Sequence, residues 1–179
     1  MAASTADRTP AAFRRGTRDA SPVAGAAIAS WGAGLIQLAL GAGALTAGEF
    51  LVGVPLVALG AAALAWGAAA LAKGRVVLPR TTLAGVLAGL VVGAVALSTD
   101  PERTSVVAVS AGWMLLLGAG IGCGLAIRRG DAGRPRMPGL IVAAVIVAAI
   151  VTPALAATEA GRLAPDHSVH ELVGTGHVH

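Results

Sequence analysis

Five long stretches of this chain contain no Asp, Glu, Lys, Arg or His: Val23 to Ala47, Phe50 to Ala72, Thr81 to Ser98, Thr104 to Ile127 and Met137 to Ala157. Ion-coupled transporters and proton pumps mark their paths with intramembrane carboxylates, imidazoles or paired charges, which are too costly to keep otherwise. Their absence argues against that class. With no histidine in any stretch, the chain by itself offers no axial ligand to a haem held in a bilayer. Cys123 is the single cysteine, so an intramolecular disulfide or a thiolate metal cluster is excluded. It reads as a small buried packing residue. There is no Walker loop, no G-x-S-x-G and no H-E-x-x-H. Gly118 to Gly124 resemble a phosphate loop in composition only, because no Lys-Ser/Thr follows. No catalytic set emerges, and the expectation is a protein that is not an enzyme.

What the chain does contain is apolar length. Its 179 residues are 56% hydrophobic and 12% charged, with a mean hydropathy of +0.80, far from soluble averages. A hydrocarbon core is crossed by about 20 predominantly apolar helical residues, and the five stretches match that need, Thr81 to Ser98 being the shortest. The fold class is therefore an all-α integral membrane protein with five transmembrane helices and short loops. A net charge of +4 and a pI near 11.0 raise nucleic acid as a partner. The basic residues flank the apolar spans, however, and no aromatic-basic patch accompanies them, so the partner implied is the lipid bilayer and not nucleic acid.

Three regions follow. Residues 1–22 form a basic tail with no apolar period, expected to be flexible and cytoplasmic. Residues 23–157 form the membrane domain, with spans at about 23–47, 50–72, 81–98, 104–127 and 137–157. Residues 158–179 form an extracytoplasmic tail. The first span is longer than the apolar core of a secretory signal and reads as a retained helix.

Positive side chains near span ends resist translocation. With the N-terminus inside, Arg8, Arg14, Arg15, Arg18, Lys73, Arg75, Arg80, Arg128, Arg129, Arg134 and Arg136 are all cytoplasmic, and only Arg103 and Arg162 lie outside. The expected placement is the cytoplasmic (inner or plasma) membrane, multi-pass, N-in and C-out. The basic segment Arg128 to Pro138 then anchors two spans on the inner side; its arginines also suit anionic headgroups.

Glycine is distributed in ladders. Gly34, Gly41 and Gly48 recur every seven residues in the first span, and Gly53, Gly60 and Gly67 in the second. A seven-residue repeat keeps one helical stripe facing its partner, and glycine on that stripe lets backbones approach closely. Since only Gly48-Glu49-Phe50 separates the two spans, they are expected to form a tight antiparallel hairpin. Pro55 falls near the start of the second span, where unpaired amides tolerate it. Gly85, Gly89 and Gly93 share one face of the third span; Gly118/Gly122 and Gly120/Gly124 leave two faces of the fourth bare. Both features suit a compact bundle, with homodimerisation through the third span as the sharper alternative. Gln37 is the one strongly polar side chain deep in the first pair. Its expected role is an interhelical hydrogen bond, with contact to a substrate as the alternative.

All four histidines, His167, His170, His177 and His179, lie in the C-terminal tail, with Asp166 and Glu171 beside the first pair. Neutral imidazole suits Zn(II), Cu(II) and Ni(II), and a tail without Met or Cys argues against a Cu(I) site. If Asp166 to Leu172 were helical, His167 and His170 would share a face. The spacing matches no closed structural-zinc pattern, so the competing expectation is a polar tail whose imidazoles merely titrate near neutrality. Arg134 and Arg136, the apolar run Leu140 to Val151 and Ala154-Leu155-Ala156 follow the order of a signal peptide with a cleavage site after Ala156. An uncleaved fifth span ending near Pro153 is the simpler expectation. The functional expectation is a non-catalytic accessory or structural subunit that packs against other membrane-protein subunits or a second copy of itself. The alternative is external capture or delivery of a divalent transition metal by the histidine tail.

Overall fold

The computed structural model describes residues 22–129 and 137–162. The N-terminal tail, the Gly130 to Arg136 segment and the histidine tail lie outside the described residues. Six helices follow in order: α1 (Pro22–Thr46), α2 (Phe50–Lys73), α3 (Pro79–Thr99), α4 (Val106–Arg129), α5 (Met137–Ala156) and the single turn α6 (Glu159–Arg162). The first five are long and apolar enough to cross a membrane. The chain is thus a multi-pass, all-helical membrane protein among the described residues.

The helices end where local chemistry stops them. At the α1–α2 turn Gly48 takes φ +85, a left-handed conformation open to glycine at little cost. The Glu49 amide then donates to the Ala44 carbonyl (2.8 Å) and the Gly48 amide to that of Leu45 (3.1 Å), the paired bonds of a Schellman cap. Gly74 closes α2 in the same left-handed region, φ +60. α3 starts on Pro79, which is preorganised for a first helical position. Ser105 caps α4 by accepting the Ala108 amide at 3.3 Å. Pro55 lies in the second turn of α2, so the carbonyl four residues earlier loses its helical donor.

α1 is the hub. It packs most extensively on α2, then on α4 and α5, and also meets α6. α3 is held by α4 and α2 and makes no extensive backbone contact with α1. The main core joins Ala33 and Ile36 of α1 to Ala108, Leu115 and Leu116 of α4 and to Val151 and Ala154 of α5. Smaller clusters fill the two ends, Val23, Ala27, Ala70 and Ala126 at one and Val52, Leu56 and Ala96 at the other.

Between α1 and α2 the glycines stand back to back. A Cβ added at Gly34 would lie 2.8 Å from the Gly60 carbonyl oxygen, and one at Gly60 would lie 2.7 Å from that of Gly34. Gly41 faces the Gly53 carbonyl (3.0 Å), Gly53 faces the Leu45 amide (3.0 Å), and Gly67 lies against the Trp31 indole. Two polar ties cross the same seam: Ser30 Oγ donates to the Ala63 carbonyl (2.9 Å) and Trp31 Nε1 to that of Leu64 (3.0 Å).

Candidate functional site

Two recesses stand out among the described residues. At the end carrying the α1–α2 turn, Glu49, Asp100, Arg103, Thr104 and Thr158 meet around a cleft of about 40 Å³. Three loops far apart in sequence thus share one polar end. Their side chains are largely committed to the chain itself. Asp100 accepts the Arg103 amide (3.2 Å) and pairs with its guanidinium (3.6 Å). Thr104 Oγ1 donates to the Ala96 carbonyl (3.2 Å). Thr158, almost wholly buried, donates to the Leu155 carbonyl (2.7 Å) and accepts the Gly161 amide (3.2 Å) as the cap of α6. The cleft has room for an ordered water, and its groups organise loops.

The second recess is larger, about 210 Å³, and opens sideways between α2 and α3, where Ala62 and Thr81 are exposed. It occupies the space left because α3 does not close on α1. Ser30 and Gln37 of α1 form its floor with Leu116 and Ala119 of α4. Leu59, Ala62, Ala63 and Trp66 of α2 form one wall, and Thr81, Thr82, Gly85 and Val86 of α3 the other. The lining is mostly apolar, and its hydroxyl and indole protons are already spent. Ser30 donates across to α2, Trp66 Nε1 donates to the Val77 carbonyl (2.7 Å), Thr81 Oγ1 donates to that of Leu78 (2.8 Å), and Thr82 Oγ1 lies within reach of both carbonyls.

Gln37 differs from all of these. It is 4% exposed, and its Oε1 has no hydrogen-bond partner. The expected interhelical fastening is therefore not made by this oxygen, and the amide nitrogen lies beside Gly89 of α3, which has no side chain to offer. A Cβ added at Gly89 would lie 2.6 Å from Gln37 Nε2, so the amide fills the space a larger residue would take. Among the described residues, Trp113 Nε1 is the other buried, unpartnered polar atom, packed against Gly93.

The remaining glycines have differing surroundings. Gly89 and Gly93 face neighbouring side chains, and Gly122 lies against Ala26 (3.0 Å). Gly48 belongs to the turn, and nothing lies within 4 Å of a Cβ placed at Gly48, Gly85 or Gly118. The absence of a neighbour at Gly85 is the cavity itself. Cys123 is buried and unpaired. Among the described residues no group of three or more His, Cys, Asp and Glu is arranged to hold a metal ion. Asp166, His167, His170, Glu171, His177 and His179 lie outside the described residues.

Ser30 and Gln37 are seven residues apart, so both fall on one stripe of α1. That offset is the signal by which sequence alone could have paired them. The contributions of Trp66, Thr81 and Thr82 depend on how α2 and α3 meet and left no comparable trace. No family model, curated protein or solved structure matches the chain.

Proposed function

We propose that this chain is a non-catalytic protein of the cytoplasmic membrane, N-in and C-out, serving as an accessory or structural subunit that packs against a larger membrane complex. The observation that carries this reading is the outer face of α4. Met114, Leu117, Ile121 and Leu125 are exposed there, and Gly118 and Gly124 lie among them with open space above their backbones. Burying apolar surface gains little in lipid, whereas close approach of backbones at small residues drives helix association. A glycine-notched outer face suits a partner helix, as the Gly34–Gly60 contact suits α1 and α2.

Mild detergent extraction followed by identification of co-purifying proteins tests the proposal. Gly118→Leu combined with Gly124→Leu should release a partner from wild-type complexes without lowering the monomer's melting temperature. A wild-type chain that purifies alone after gentle extraction and chemical crosslinking overturns it.

A second reading rests on the clustering of His167, His170, His177 and His179 within thirteen residues: external capture of Zn(II), Cu(II) or Ni(II). Calorimetric titration of the full chain against a variant lacking residues 165–179 separates the two. Metal binding below millimolar that the deletion removes supports the second reading, and identical titrations reject it.

A further inference from the structure

We infer that the recess between α2 and α3 seats an acyl chain of one anionic phospholipid, whose phosphate is held by Lys73 and Arg75 at the end of the groove. Such a site does not depend on whether the chain is a subunit. It follows first from register. Leu59, Trp66 and Lys73 recur every seven residues and so fall on one stripe of α2. Leu59 and Trp66 line the recess, with Ala62 and Ala63 on the same face. Lys73, the last residue of α2, therefore prolongs the lining face by two turns, about 10 Å along the axis beyond Trp66. Trp66 Nε1 donates to the Val77 carbonyl (2.7 Å), which ties the α2–α3 connection, and Arg75 within it, to that end of the groove.

The groove suits a hydrocarbon chain. It opens sideways between two spans, where the surrounding medium is lipid and not water. A dry cavity of roughly 150 Å³ takes up benzene, so about 210 Å³ takes a stretch of acyl chain. No Asp, Glu, Lys, Arg or His lines it, and its hydroxyl and indole protons are spent on main-chain carbonyls. Charge at the end of the groove then selects the headgroup. The cluster of Val23, Ala27, Ala70 and Ala126 brings the last turns of α2 and α4 together, so Lys73, Arg75, Arg80, Arg128 and Arg129 share one end of the bundle. The acids among the described residues, Glu49, Asp100, Glu102 and Glu159, belong to the other end. Lys73 and Arg75 are exposed and form no ion pair among the described residues. Each basic residue near anionic lipid is worth roughly fivefold in affinity, and hydrogen bonds from charged donors to phosphate are the strong ones. Arg80 is placed differently. It falls on the face of α3 opposite the lining residues Thr81, Thr82, Gly85 and Val86.

The test uses the full chain in nanodiscs of equal parts phosphatidylglycerol and phosphatidylcholine, with native mass spectrometry of the lipid that stays bound on release. The wild type should retain one phosphatidylglycerol at least fivefold more often than phosphatidylcholine. Lys73→Gln combined with Arg75→Gln should remove that preference. Arg80→Gln, the same loss of charge away from the lining face, should keep it. A Cβ at Gly85 meets nothing within 4 Å, so Gly85→Leu should fill the groove and lower retention of either lipid. If that variant fails to fold, Ala62→Leu on the opposite wall takes its place. Lipid titration in detergent gives an independent readout, since a ligand bound only by the folded state raises the melting temperature. Phosphatidylglycerol should raise that of the wild type more than phosphatidylcholine does, and should lose this advantage in the double variant. Equal retention of the two lipids by the wild type overturns the proposal. Loss of preference in Arg80→Gln as complete as in the double variant overturns it too, because it marks diffuse attraction to the basic end. Retention untouched by both Gly85→Leu and Ala62→Leu rules out the groove as the seat.

Discussion

Gly60 and Gly118 are the same residue type in different spans, yet a single methyl group should affect them oppositely. At Gly60 the new Cβ would lie 2.7 Å from the Gly34 carbonyl oxygen, a backbone atom that can move only if α1 and α2 part. Overpacking of this kind costs about 1–3 kcal/mol, and Gly60→Ala should lower the thermal midpoint in detergent accordingly. At Gly118 nothing lies within 4 Å, and alanine is the better helix former by up to ~1 kcal/mol. Gly118→Ala should therefore leave the midpoint unchanged or raise it. Equal losses in the two variants would show that α1 and α2 are not in backbone contact at Gly60. Sequence placed both glycines on helices, but it did not distinguish the one pressed on a carbonyl from the one facing outward. Glycine is so frequent here, 25 of 179 residues, that spacing alone leaves many faces equivalent.

At the scale of elements, the five spans were legible because charge-free runs of membrane length seldom occur in chains that do not cross a bilayer. Their ends were less so, and each shift has a local cause. The third helix begins at Pro79 and not Thr81, because proline is well suited to the first turn and Arg80 can extend from the helix end toward water. The fourth begins at Val106 and not Thr104, because Thr104 folds back onto the Ala96 carbonyl and Ser105 supplies the cap. Removing that cap tests the assignment. Ser105→Ala should cost about 1 kcal/mol and speed amide exchange in the first turn of α4, most of all at Ala108. Unchanged exchange at Ala108 would show that the serine hydroxyl is not its partner.

For the whole molecule, the proposed N-in and C-out orientation predicts that the Glu102 loop is external and the Arg75 loop cytoplasmic. In a Cys123→Ala background, Glu102→Cys should react with a membrane-impermeant maleimide in intact cells, and Arg75→Cys only after permeabilisation; the reverse pattern would invert the topology. The sequence by itself determined that this is a five-span helical membrane protein, since uncharged length and paired backbone groups are what a bilayer demands of any chain that crosses it. Only the tertiary structure decided which helix lies at the centre. The least hydropathic of the five spans, α1, is the most buried, and the most hydropathic, α5, is the least. Lipid is as apolar as a protein core, so hydropathy does not rank burial here. Small and polar residues go inside instead, where glycine permits backbone contact and polar groups can meet one another. Gln37 was legible as a buried polar residue, but the recess beside it was not. That space exists because α3 packs on α4 and α2 without closing on α1, a consequence of how three helices meet rather than of any one stretch of sequence.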